Sequence, residues 1–460
     1  MSLENIFPNK EQFDTMNTLL AAIASSQGGI KIQSFKDVQQ IVRMGLASKI
    51  FSIGDQLICE KETALTANVG NSEGSPGISA ATVSASTFHE AVGGIHSGDY
   101  EFTYNGVEWH YNGESVSLSA YGISVTGTPI AGDEVVVHET TSQLVWDIIG
   151  FDHDVPANAA HTHSMTLLLH DCLLSLQFDA TEALYYCAAE LPAGTYHFTL
   201  LSGYDTAYGG GKTYQFTLTQ AVPAGGQLMF PWAYNTQASS VKISSYSSRT
   251  STTAIESVSV SEGTDGTDLG TANGSTTHMN HTHRIRYGSN NWKESAIRQY
   301  LNSAASAGAV WSPKTEFDRP PSWASSTAGF MKDLDTEFLS VVGTVTKRTA
   351  RNTVTDGGGY DDTEDKFFLL SRSEVFAGKE NSIDEGDPYP YYSLGSDHSS
   401  PNSGADSNRI KYRNGSAQYW WLRTPYSGYG YLVRGLGPTG FLDYHSASVS
   451  HGVAPACNII

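Results

Sequence analysis

The sequence predicts an α+β protein in which short helices lead into a β-rich body, and three observations carry that reading. The first 48 residues place apolar side chains at helical spacing, whereas most later segments alternate apolar and polar residues between Gly, Asn and Asp punctuation. Two β-rich stretches interrupt this later pattern and read as insertions into one body. The chain closes on two apolar pieces, Trp420-Trp421-Leu422 and Val453-Ala454-Pro455-Ala456-Cys457, that flank material suited to neither helix nor strand interior.

In chain order, Pro8 to Ser26 reads as a helix, with an early Pro, Phe13, Met16, Leu19, Leu20 and Ile23 at spacings of three or four, and Gly28-Gly29 as a stop. Ser34 to Ser48 repeats the pattern with Val38, Ile41, Val42 and Leu46 on one face. Residues 1–48 therefore form a helical segment, open to packing on the main body or to pairing with copies of itself. Alternation begins at Lys49 around a Gly54-Asp55 turn. Residues 61–142 then read as an inserted immunoglobulin-like β-sandwich, strand-like throughout, with Asn105-Gly106 and Asn112-Gly113 as hairpin turns and 117–121 as one strand. Leu144 to Phe151 and Met165 to Leu169 return as buried strands of the main body, in residues 143–176. Residues 177–263 read as a second inserted β-sandwich, in which 194–200 and 213–218 alternate on either side of Gly209-Gly210-Gly211. The body resumes over 264–460. There Asn291 is expected to cap a helix carrying Ile297, Tyr300 and Leu301, while Asp356 to Asp365 and Ser382 to Arg409 are expected to be polar loops.

The stretch from Tyr426 to His451 holds four Tyr, four Ser and five Gly among 26 residues. Tyr offers broad, stiff contact area and Ser and Gly offer adaptable hydrogen bonding, the composition of an antibody paratope; a glycine-rich surface loop is the plainer reading. Lys, Glu, Gln, Met and Trp make up 65 of the 460 residues, yet none falls in these 26 positions. None of those five types is reachable from an AAC or AAT codon by changing its adenines alone, so the gap matches adenine-directed mutagenesis.

The frame Trp420-Trp421-Leu422-Arg423-Thr424-Pro425, Thr439-Gly440 and Gly452-Val453-Ala454-Pro455-Ala456 resembles the end of the variable proteins diversified by retroelements. That family, which includes the phage major tropism determinant and gut-phage receptor-binding proteins, has a C-type-lectin-like fold. Gly54-Asp55, residues 144–149, 295–302 and 367–371 are similar to further pieces of the same domain, so the resemblance covers the chain discontinuously. It implies a lectin-like domain made of 49–60, 143–176 and 264–460, with Trp420, Trp421, Arg423, Gly452 and Pro455 as scaffold. It also implies an exposed ligand-binding face built by Tyr426, Tyr429, Tyr431, Arg434, Phe441, Asp443, Tyr444, His445, Ser446, Ser448, Val449 and His451. Ala454 stands where many relatives have Arg, so the scaffold ion pair of that Arg is not carried over.

The expected function is host recognition on a phage tail: a non-enzymatic receptor-binding protein, made in the bacterial cytoplasm and carried on the virion. Its partners would be a bacterial surface protein or glycan and other tail proteins, in a homo-oligomer, by analogy a trimer. The alternative is a structural virion or surface-display protein whose inserted sandwiches carry the binding. A net charge of −20 with no cluster of Lys and Arg argues against nucleic acid. No apolar run approaches the about 20 residues needed to cross a bilayer, and the N-terminus has no signal-peptide pattern. Cys59, Cys172, Cys187 and Cys457 are scattered without metal or redox spacing and are expected as reduced, buried thiols.

No cofactor is expected, and no HExxH or P-loop motif is present. The acid pairs Asp361-Asp362 and Glu364-Asp365 read as solvated charge or calcium ligands in a loop. His161-x-His163 and His278-x-x-His281-x-His283 read either as strand-borne metal pairs arranged about a symmetry axis or as polar loop histidines, with no acid close enough in sequence to complete a site within one chain.

Overall fold

A computed structural model describes residues 34–182, 185–187, 189–199, 212–224, 226–229, 240–248, 251–271, 287–314, 318–376, 378–393 and 407–460. Among them the architecture is α+β, with short helices set against mostly antiparallel sheets. The expected helix at 8–26 lies outside the described residues, as does the histidine group at 278–283.

The second expected helix forms as Phe35–Arg43, its first turn capped by the Ser34 hydroxyl, which accepts from the Asp37 amide. It stops at Gly45, where φ is +69°, and a short helix follows at Ala47–Ile50. Val38, Ile41 and Val42 are buried in the main core, so this helix packs on the body.

The body is organised by two long strands. Gln56–Asn71 and Asp133–Phe151 pair antiparallel along almost their whole length, with a bulge between Glu62 and Ala64. The far edge of Asp133–Phe151 pairs first with Gly98–Tyr104 and then with Met165–Leu169. Met165–Leu169 in turn pairs with the C-terminal Ala456–Ile459. One nine-stranded sheet therefore runs from the first insertion into the main body. The expected junctions at 60/61 and 142/143 fall inside these strands, because the same ladder serves both parts.

The first insertion has its own apolar cluster around Phe88, Phe102, Val135 and Val137. It is not strand-like throughout. Ala85–Val92 is a helix, closed by Gly93 in the left-handed conformation, and Leu118–Tyr121 is a 3-10 turn that buries Leu118. Asn112 and Gly113 both take positive φ between the strands Trp109–Tyr111 and Glu114–Val116, as a two-residue hairpin turn requires.

The second insertion is a seven-stranded sheet with Tyr196, Phe198, Tyr214, Phe216 and Leu228 in its core. It extends past the expected boundary at 263, because Thr267–Thr271 adds a parallel edge strand beside Gly194–Thr199.

Further on, Ala296–Leu301 is helical, but its cap is Ser295 rather than Asn291: the Ser295 hydroxyl accepts from the Arg298 amide. The stretch Tyr360–Asp365, expected as loop, is a strand paired with Val345–Ala350. Asp361, Asp362 and Asp365 pair with cations, whereas Glu364 is exposed. Asp365 is buried and takes Arg298 at 2.7 Å, and Asp362 takes Arg348 at 2.9 Å. Within the second expected loop, Glu385, Tyr389, Tyr391 and Tyr392 are buried while Ser382, Asp384, Asp387 and Pro390 are exposed, so its described part is polar surface anchored into the core by these four buried side chains. All four cysteines are free and buried. No described helix is long and apolar enough to cross a membrane.

Candidate functional site

The closing strands make a five-stranded sheet in the order Leu442–Ser446, Leu432–Leu436, Trp420–Pro425, Ser450–Gly452 and Ser175–Gln177. Its inner strand is wholly buried: Trp420, Trp421, Leu422, Arg423, Thr424 and Pro425 are all inaccessible. The Trp421 indole donates to the Leu176 carbonyl at 2.9 Å and packs edge-on against Phe178. The Trp420 indole donates to the Arg409 carbonyl at 2.9 Å. Gly452 pairs with Trp420, and a Cβ there would lie 2.4 Å from the Cys172 Sγ, so only glycine fits. Pro455 is buried and offers its carbonyl to the Leu169 amide.

Arg423 is the pivot of this frame. Its fully buried guanidinium reaches Glu374 at 2.6 and 3.1 Å and donates to the carbonyls of Leu369, Glu385 and Arg348 and to the Thr349 hydroxyl. Glu374 also meets Lys347 at 2.6 Å, and Lys347 meets Asp154 at 2.6 Å. Burial opposes the charge on Asp154, but Lys347, His153 and Asn458 outweigh it and hold its carboxyl well below the usual range. Glu385 goes the other way: desolvation pushes its carboxyl up to about 7, against the opposing pull of Arg423 and Thr424.

Outside the frame, the Leu432–Leu436 and Leu442–Ser446 strands form a hairpin in which Arg434 lies opposite Tyr444 and Val433 opposite His445. None of the twelve candidate side chains is buried; Tyr444 and Val449 are the most open, at 45% and 40% exposed. Because side chains alternate across a strand, the hairpin divides most of them into two groups rather than one.

The first group is a tyrosine cluster around a cation. Arg434 stacks over Tyr426 with its guanidinium carbon 4.0 Å from the ring centroid and 6.0 Å from that of Tyr444. Tyr426 touches Tyr429 at 5.1 Å and Tyr444 at 4.8 Å between centroids, and Tyr429 meets Tyr431 edge-on at 5.9 Å. Tyr431 stacks on Tyr287 at 5.0 Å.

The second group is built on histidine. His445 and His451 lie 4.3 Å apart between ring centroids, both against Tyr419; His451 also meets Trp421 at 4.6 Å, and Asp443 lies 3.3 Å from His445. Phe441 closes the group on Tyr419 at 6.3 Å. Desolvation, helped by His445, lowers His451 to about 4, so its ring is neutral at physiological pH. Ser446 and Ser448 are half-buried between these groups and the Tyr287 segment, whose carbonyl accepts from the Ser448 amide.

Several residues that hold the site have no sequence signal. Glu380 is almost fully buried and takes Arg434 at 3.0 Å, Arg372 at 3.0 Å and the Ser427 amide and hydroxyl. Asn290 pins the Tyr426–Tyr431 loop through its side-chain amide, which donates to the carbonyls of Tyr429 at 2.6 Å and Leu432 at 2.8 Å. Both stand in stretches without periodicity. Tyr419, by contrast, abuts the Trp pair, which was a usable signal.

His161 and His163 precede the Met165–Leu169 strand instead of lying on it, so strand alternation does not aim them together. His163 contacts Asp152 at 3.1 Å, an acid from a neighbouring turn that sequence spacing did not reveal.

Residues 250–460 match a family model described as a domain of unknown function, DUF6273. The match takes in both the buried frame and the hairpin that carries the tyrosine and histidine groups. No curated protein and no solved structure matches the chain.

Proposed function

We propose that this chain is a receptor-binding protein of a phage tail, in which residues 426–451 form a retroelement-diversified face of a C-type-lectin-like domain. The observation that carries the reading is the sorting of one sheet into two regimes. The strand Trp420–Pro425 is locked by indole, guanidinium and carbonyl hydrogen bonds, whereas none of the twelve candidate side chains on and around the adjoining hairpin is buried, its Val433 and Leu436 turning into the core instead. A face of this kind tolerates exchange of its outer side chains because fold stability resides in the strand beneath. Tyr426, Tyr429, Tyr431 and Tyr444 around Arg434 give a broad aromatic surface with one cation at its centre, suited to a protein or glycan on a bacterial surface. The function proposed is binding without catalysis. Each site binds modestly, and several copies on one particle supply firm adhesion through effective concentration. The test is replacement of Tyr429, Tyr431 and Tyr444 by Ala, read as adsorption to host cells: adsorption collapses if these rings make the contact and persists if the inserted sheets make it.

A further inference from the structure

The first insertion holds a cluster that the binding face does not use. Glu62, His89 and Glu139 bring one ligand atom each to within 4.8 Å of one another. His89 Nε2 lies 2.9 Å from a Glu62 oxygen and 3.0 Å from a Glu139 oxygen. The three come from separate elements: Glu62 from the bulge of Gln56–Asn71, Glu139 from Asp133–Phe151, and His89 from the helix Ala85–Val92. The bulge lies immediately after Glu62, between it and Ala64.

The surroundings sharpen the case. Glu139 is 1% exposed and His89 7% exposed. Among the described residues these ligand atoms have no well-aligned hydrogen bond: His89 Nε2, Glu62 Oε2 and the Glu139 oxygens face one another, with the Tyr100 hydroxyl beside Glu139. Buried carboxylates in that condition need a compensating charge. Near them Lys332 is paired with Asp333, Lys61 donates to the carbonyls of Phe330 and Lys332, and Glu60 adds a further acid. Two carboxylates and a neutral imidazole sum to a charge that one divalent cation cancels.

We propose that Glu62, His89 and Glu139 bind a divalent transition-metal ion, Zn2+ foremost, which ties the helix Ala85–Val92 to the two long strands. One imidazole nitrogen and two carboxylate oxygens form a donor set typical of such ions. Ligand atoms about 2.0–2.1 Å from a tetrahedral ion stand about 3.3 Å apart, so the nitrogen–oxygen separations need to open by only a few tenths of an ångström. The competing occupant is a proton on His89, which would leave the cluster with a net charge of −1, one positive charge short of neutral.

The experiment uses the full-length, tag-free chain treated with EDTA, titrated with Zn2+ by calorimetry and with Co2+ by visible absorption. The proposal expects one saturable ion per chain and a rise in unfolding temperature of about 5–8 °C with free Zn2+ about 100-fold above its dissociation constant. His89→Gln and Glu62→Gln should each weaken binding by about 100-fold or more, while replacing His161 and His163 by Ala leaves it unchanged. Circular dichroism checks that the variants fold, and if His89→Gln does not, Glu62→Gln decides alone. Absence of saturable Zn2+ and Co2+ binding by the wild-type chain, or undiminished binding by the folded variants, overturns the proposal.

Discussion

Replacing Arg423 by Met removes the pivot of the frame while keeping most of its volume. The loss can be worked out from its neighbours. Six hydrogen bonds go, two of them to Glu374, and the carbonyls of Leu369, Glu385 and Arg348 each lose a donor inside a dry core. Glu374 keeps Lys347 and the Ser371 amide, so it is not abandoned, yet it is left with one cation instead of two. Breaking a buried pair of this kind costs about 3–5 kcal/mol, which corresponds to about 6–15 °C in the unfolding temperature of a body of this size. Arg348→Met is the control, because that pair with Asp362 is 42% exposed on both sides and should contribute about 1 kcal/mol or less. Scanning calorimetry of the two variants beside the wild-type chain reads the difference. A shift under about 2 °C for Arg423→Met, or equal shifts for the two, would refute the role given to Arg423.

Two further predictions concern protons. Glu385 has its folded value raised from 4.5 to about 7, so the stability tied to its protonated form is complete below pH 4.5 and is lost as pH rises toward 7. Glu385→Gln, which mimics the protonated carboxyl, should flatten the change in unfolding temperature over that window; an unchanged slope would mean the carboxyl is ionised in the core. His451 has its folded value lowered from 6.5 to about 4, so its contribution is complete above pH 6.5 and disappears as pH falls through 4. Following the His451 ring by NMR should place its titration near 4; a midpoint near 6.5 would show that the ring is solvated rather than packed on Trp421.

How much of this was legible in the sequence depended on which force set each element. The helix at Phe35–Arg43, the Asn112-Gly113 turn and the strand Trp420–Pro425 follow local rules of periodicity, turn chemistry and apolar runs, and they stand where those rules put them. Elements made by tertiary pairing did not show. Tyr360–Asp365 is acidic and looks like loop, but it pairs along its whole length with Val345–Ala350, and Arg348, Lys293 and Arg298 balance three of its acids. The helix Ala85–Val92 was hidden in a stretch rich in Ser and Thr, where Phe88 and His89 supply the buried face. The twelve candidate positions could be named from composition and resemblance, but their division into a tyrosine–arginine group and a histidine group follows from the hairpin register, which the spacing alone does not fix. Glu380, Asn290 and the cluster at Glu62, His89 and Glu139 were silent because each draws its meaning from residues distant in sequence.

The separation of a fixed frame from an exchangeable face is tested most directly by measuring host adsorption and unfolding temperature on the same preparation of the chain with Tyr429, Tyr431 and Tyr444 replaced by Ala. Tyr429 and Tyr431 touch each other and Tyr444 lies against Tyr426, 6.0 Å from Arg434, but none of the three is buried, so the unfolding temperature should fall by no more than about 4 °C. Adsorption should fall about tenfold or more, the loss expected when aromatic anchors leave an interface. Adsorption that survives intact, or a loss of binding that merely follows a collapse in stability, would contradict the account.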